Sequence, residues 1–174
     1  MRNSINRTLL KQVMQALGAH VLGFGSIYFV GSATALLYGW RESTVDIDIA
    51  LAPEPKGLFQ AIEHIKRSLG VNIELASPDQ FVPPLPGWQT RSHFIARIGP
   101  IDFYHYDLYT QALAKLSRGH ARDLDDVQCM VQSGEVLPSE LLRLFDQVRD
   151  EVVRYPGLDA ERLRTRIVQW KPHV

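Results

Sequence analysis

The chain has 174 residues, 45% hydrophobic and 22% charged, with 19 Lys plus Arg against 19 Asp plus Glu. Those figures exclude a disordered chain, a collagen-like repeat and a disulfide scaffold, and a net charge of zero argues against non-specific coating of nucleic acid. Cys129 is the one cysteine, which excludes an intramolecular disulfide and a CxxC zinc or redox site. The first seven residues lack a signal peptide's apolar stretch and cleavage site. Between Lys11 and Arg41 no charged residue occurs, but five glycines break that run, so it reads as several buried elements rather than a spanning helix. The expectation is a soluble cytoplasmic protein with no membrane segment.

In chain order, Leu9, Leu10, Val13, Met14 and Leu17 fall on one stripe of a 3.6-residue period and predict a helix over about 5–17, with Gly18 as its stop. Ile27 to Val30 suits a buried strand ending at Gly31. Ser32 then caps a helix through Tyr38, which Gly39 stops. Val45 to Leu51 alternates strictly, with Asp46 and Asp48 on the polar face. Pro53 and Pro55 open a helix that Gly70 ends, and Val71 to Leu75 is a strand. The stretch 76–90, with four prolines, reads as loop. Strands at 94–98 and 101–106 meet through Gly99-Pro100. Helices are predicted at 107–117, 123–132, 138–155 and 159–170. The predicted class is α/β (α+β), a mixed sheet flanked by helices over residues 1–134 with a C-terminal helical extension over 135–174.

The stretch from Tyr28 to Leu51 carries the chemistry. A strand delivers Gly31-Ser32 to a helix N-terminus, where a missing Cβ and free amides favour a phosphate. A second strand then projects Asp46 and Asp48 from one face, because strand side chains alternate with period two. Two adjacent carboxylates repel unless a cation lies between them, and hard oxygen ligands of this kind suit Mg²⁺ with phosphate oxygens. Singly, a Gly-Ser cap and an Asp-x-Asp on a solvated face are everyday features. Their order and short separation point to phosphoryl transfer.

This pattern resembles the polymerase-β-type nucleotidyltransferase superfamily. Downstream, Lys115 on a predicted helix precedes an Arg-Asp-x-x-Asp segment, Arg122 to Asp126, which resembles the later motifs of abortive-infection (AbiEii-type) toxin nucleotidyltransferases. The resemblance covers roughly residues 25–135. It implies a nucleotidyltransferase-like mixed sheet, a nucleoside triphosphate and Mg²⁺ or Mn²⁺. Gly31 and Ser32 would hold the triphosphate, Asp46 and Asp48 the metal, and Lys115 would neutralise phosphate charge or orient the nucleotide. Arg118 and Arg122 would add phosphate contacts. Asp123 would be the later motif's acid, with Asp126 one turn on and facing the same way. A third carboxylate on a neighbouring strand fits Asp102, as a metal ligand or as the base that activates the acceptor. Asp107 competes for that role or caps the next helix, and the choice between Asp102 and Asp123 stays open. Asp46, Asp48 and Lys115 are expected to converge on one cleft.

Other signals are rejected. Gly23-Phe-Gly25 lacks the third glycine of a dinucleotide fingerprint, and no Walker loop or Gly-x-Ser-x-Gly elbow exists. The histidines at 20, 64, 93, 105, 120 and 173 show no HxxxH pairing, and His105 receives no role. Trp88, Tyr104 and Tyr106 read as packing aromatics rather than a base-stacking set. Two functional readings follow. The first is an Mg²⁺-dependent transfer of a nucleoside monophosphate to a hydroxyl of RNA, protein or a small molecule, with a toxin–antitoxin partner encoded nearby. The second is a non-catalytic binding or antitoxin-like regulatory protein on the same fold.

Overall fold

In the computed structural model, which describes residues 4–170, five short segments pair into one mixed sheet. They are β1 (Gly25–Val30), β2 (Asp46–Leu51), β3 (Asn72–Leu75), β4 (His93–Ile98) and β5 (Ile101–His105), in the spatial order β3-β2-β1-β5-β4. β1 runs antiparallel to β2 and parallel to β5; β3 is parallel to β2, and β4 antiparallel to β5. Period-two alternation sorts the two faces. Ile27, Phe29, Ile47, Ile49, Ile73, Ile101 and Phe103 share the core face. Onto it pack α1 (Arg7–His20), α2 (Ser32–Tyr38) and α3 (Leu58–Leu69), through Leu10, Val13, Leu17, Leu36, Ile62 and Ile65. The other face carries Tyr28, Asp46, Asp48, Asn72, Glu74, Asp102 and Tyr104.

The helices that follow are α4 (Trp88–Arg91), α5 (Leu108–Arg118), α6 (Ala121–Gln132), α7 (Pro138–Val148) and α8 (Ala160–Gln169). The chain divides into two compact units: Met1–Ser77 with His93–Tyr106, and Pro78–Ser92 with Asp107–Val174. This division differs from a boundary at residue 134. α5 is buried along most of its length and packs against α4, α6, α7 and α8, so α5 and α6 belong with the C-terminal helices. No helix among the described residues is long and apolar enough to cross a membrane.

The local departures have physical causes. Gly18 does not stop α1, which runs to His20. A Cβ on Gly18 would stand 2.5 Å from the Ile98 carbonyl oxygen, and one on Gly99 2.2 Å from the Gly18 carbonyl oxygen. Gly18 is therefore the place where helix backbone lies directly on the β4–β5 turn. Ser32 is the first helical residue of α2, and Gly31 takes the cap position. Gly39 and Gly70 end their helices in the left-handed conformation as expected. The helix expected over 138–155 stops at Val148 and continues as a 3₁₀ turn through Arg154.

Candidate functional site

β1 ends at Val30, opposite Asp48 on β2, so the Gly31 turn is delivered beside the two aspartates. Gly31 has φ of 61°, a left-handed conformation that favours glycine, and a Cβ added there would lie 3.3 Å from Asp48 Oδ2. The missing side chain at Gly31 is what lets that carboxylate approach the turn so closely. Ser32 follows at the start of α2. The Thr44 hydroxyl bridges Ser32 Oγ, at 2.8 Å, and the Asp46 carbonyl oxygen, at 3.0 Å, which ties the start of α2 to the start of β2. Asp46 and Asp48 are both half-buried on the polar face of the sheet. Asn72 Nδ2 donates to Asp46 Oδ1 at 2.8 Å and to Glu74 Oε1. In the parallel β2–β3 register Asn72 sits beside Asp46 and Glu74 beside Asp48.

Gly31, Ser32, Asp46 and Asp48 are therefore brought together, and Asp102 is not. It lies on the same face, but opposite Ser26, whereas Asp48 lies opposite Val30. Four residues of offset amount to roughly 13 Å along the strands. Arg97 donates to both Asp102 oxygens, at 2.6 and 2.7 Å, and this guanidinium holds the carboxyl below its usual range. Among the described residues no group of three His, Cys, Asp or Glu is placed to hold a metal ion. Tyr104 stacks on Tyr28 with centroids 4.9 Å apart, and Tyr106 meets Tyr28 edge-on, so both pack against that ring. Trp88 opens α4. His173 lies outside the described residues.

The remaining candidates fall in the helical unit. Lys115 on α5 is 3% exposed, and its Nζ donates to Asp126 Oδ2 at 2.6 Å and Asp123 Oδ1 at 3.4 Å. Asp123 and Asp126 are three residues apart on α6 and face the same way, as their spacing requires. Arg118 forks onto Asp123 at 2.9 and 3.0 Å. Burial pushes the Asp123 carboxyl up, but Arg118 and then Lys115 outweigh it and leave the pKa below the ordinary value. Arg122 is exposed on α6. Asp107, wholly buried, caps α5: it accepts from the Tyr109 amide at 3.2 Å, the Thr110 hydroxyl at 2.7 Å and the fork of Arg91. The N-cap alternative for Asp107 is the one observed.

Two polar neighbours of the aspartates, Asn72 and Glu74, lie outside the motifs that the sequence pattern supplies. Their signal was the alternation Asn-Ile-Glu-Leu, in which the polar positions keep step with Asp46 and Asp48 once β3 pairs in parallel.

A mixed α+β sheet with a glycine turn set against a two-aspartate strand is the class of scaffold that the sequence pattern predicts for nucleotide chemistry. A family model described as nucleotidyltransferase of unknown function (DUF6036) matches residues 8–171, and the chain belongs to that family. No curated protein and no solved structure matches the chain.

Proposed function

We propose that this nucleotidyltransferase moves a nucleoside monophosphate from a nucleoside triphosphate to an acceptor hydroxyl on RNA, protein or a small molecule, with Mg²⁺ or Mn²⁺. The observation that carries the reading is the close approach of the positive-φ Gly31 turn to Asp48 and, two residues back on the same face, Asp46. The donor set suits the ion: carboxylate oxygens are hard ligands, and Mg²⁺ takes one or two of them with phosphate oxygens completing its shell. Asp46 and Asp48 would hold the ion, which would supply positive charge against the triphosphate.

The chain's own residues do the rest. Gly31 leaves room for a phosphate against the backbone, and Ser32, tied by Thr44, offers a hydroxyl at the first turn of α2. Asn72 fixes the orientation of the Asp46 carboxylate. The acceptor oxygen bonds to the α-phosphorus while the bond to the departing pyrophosphate breaks. Glu74, beside Asp48 in register, takes the acceptor proton.

To Lys115, Arg118, Asp123 and Asp126 we assign the bracing of α5 against α6, since the Lys115 ammonium already donates to both carboxylates. The order of Lys115 and the Arg122–Asp126 segment supports a finer kinship with abortive-infection toxins. Co-purification with the product of the adjacent reading frame tests that kinship.

A second reading, nucleotide binding without transfer, is favoured by one observation: Asp102 is held by Arg97 instead of joining Asp46 and Asp48. Label transfer from α-³²P nucleoside triphosphates into RNA or protein acceptors separates the two. With Asp48→Asn, transfer is expected to fall by about a hundredfold or more while circular dichroism is unchanged, because the side chain lies on the polar face. Undiminished transfer by that variant refutes the assignment. Nucleotide binding with no transfer by the wild-type chain supports the second reading.

A further inference from the structure

The sheet-bearing unit holds a concavity on the face of the sheet opposite Asp46 and Asp48. It lies where α1 passes over β4 and β5, beside the C-terminal end of α2, and its volume is about 370 Å³. That is within the range of small-molecule sites. Its apolar wall includes Met14, Leu37 and Ile95. Its ionisable lining has one sign. Arg7 and Lys11, one turn apart on α1, stand at its margin, and neither is paired with a carboxylate among the described residues. The first acidic residue of the chain is Glu42, so α1 offers no compensating charge. The third ionisable group is His105, 8% exposed, with Nδ1 3.4 Å from Thr34 Oγ1. Burial, and then His93 nearby, hold this imidazole neutral, with its pKa lowered to about 4.

We propose that this cavity binds a small organic anion with an apolar body, its charged group between Arg7 and Lys11 and its body against Met14, Leu37 and Ile95. Two cations with no carboxylate partner among the described residues, set beside an apolar wall, raise the local positive potential, which draws an anion and repels a cation. The apolar wall stabilises any hydrocarbon it removes from water, by about 25 cal/mol per Å². A neutral imidazole at depth leaves the body of the ligand uncharged surroundings. The site is separate from the nucleotide reading and stands or falls without it.

The test uses the full chain and the dye 8-anilinonaphthalene-1-sulfonate, which is an aromatic body carrying one anion. Saturable one-to-one binding is expected, with amide resonance shifts gathered at Arg7, Lys11, Leu37 and Ile95. The double variant Arg7→Gln, Lys11→Gln, altered only at exposed positions, is expected to bind about tenfold more weakly. Displacement of the dye by octanoate assigns a carboxylate ligand, and displacement by phenyl phosphate assigns a phosphate ester. Displacement by neither, equal displacement by octylamine, unchanged affinity in the double variant, or shifts centred elsewhere would each overturn the proposal.

Discussion

Lys115 shows what a buried charge requires. Its ammonium is tolerated at 3% exposure because two carboxylates face it and Arg118 shares the second. Removing one partner leaves uncompensated buried charge, so Lys115→Met is expected to lower stability by about 3–5 kcal/mol. A urea midpoint equal to the wild type's would contradict the bracing role. His105 sets a different kind of dependence. Its folded pKa of about 4 lies below the unfolded value of 6.5, so between those values the unfolded chain binds more protons and stability falls with falling pH. The contribution is complete above pH 6.5 and is lost by pH 4, at most about 3 kcal/mol. Asp123, whose folded pKa is also depressed, adds its loss at lower pH, as its carboxylate takes a proton in the folded state. Denaturant melts across pH 4–7 are expected to slope for the wild type and to flatten for His105→Gln. An identical slope in both would remove His105 as the source.

At the scale of elements, α1 and the β4–β5 turn meet backbone to backbone at Gly18 and Gly99. Helix propensity alone predicts that Gly18→Ala stabilises by about 1 kcal/mol. The 2.5 Å approach to the Ile98 carbonyl predicts the opposite sign, a loss of about 1–3 kcal/mol as α1 lifts from the turn. A higher melting temperature for Gly18→Ala would contradict that contact. The same glycine marks the limit of what is legible in a sequence. Apolar periodicity located α1, but a glycine that ends a helix and one that admits a neighbouring backbone look alike until the neighbour is known. Strand faces were legible for the same reason: Val45 to Leu51 alternates, so Asp46 and Asp48 had to share a face. Register was not. Period two places Asp102 on the correct face but says nothing of its position along β1, and the pairing sets it against Ser26, not Val30. The nearness of Glu74 and Asn72 to the aspartates is not legible in the sequence because it depends on a parallel crossover pairing through α3. The turn of α6 that carries Asp123 and Asp126 needed only a three-residue spacing, and it was readable.

At the scale of the molecule, the family match over residues 8–171 takes in both compact units, so the helical unit is part of what defines this nucleotidyltransferase family. The division is discontinuous in sequence, since residues 78–92 belong with the helices. That stretch reads as loop because prolines flank its apolar residues, yet Val82 and Leu85 are wholly buried and anchor it. The centre of the functional reading is that Gly31, Asp46 and Asp48 receive a nucleotide together with a divalent ion. Isothermal titration calorimetry of the full chain with each nucleoside triphosphate, with and without Mg²⁺, tests this most directly. We expect binding that requires Mg²⁺ and disappears in Asp48→Asn. No heat of binding at millimolar nucleotide, or equal affinity without the ion and in the variant, would contradict it.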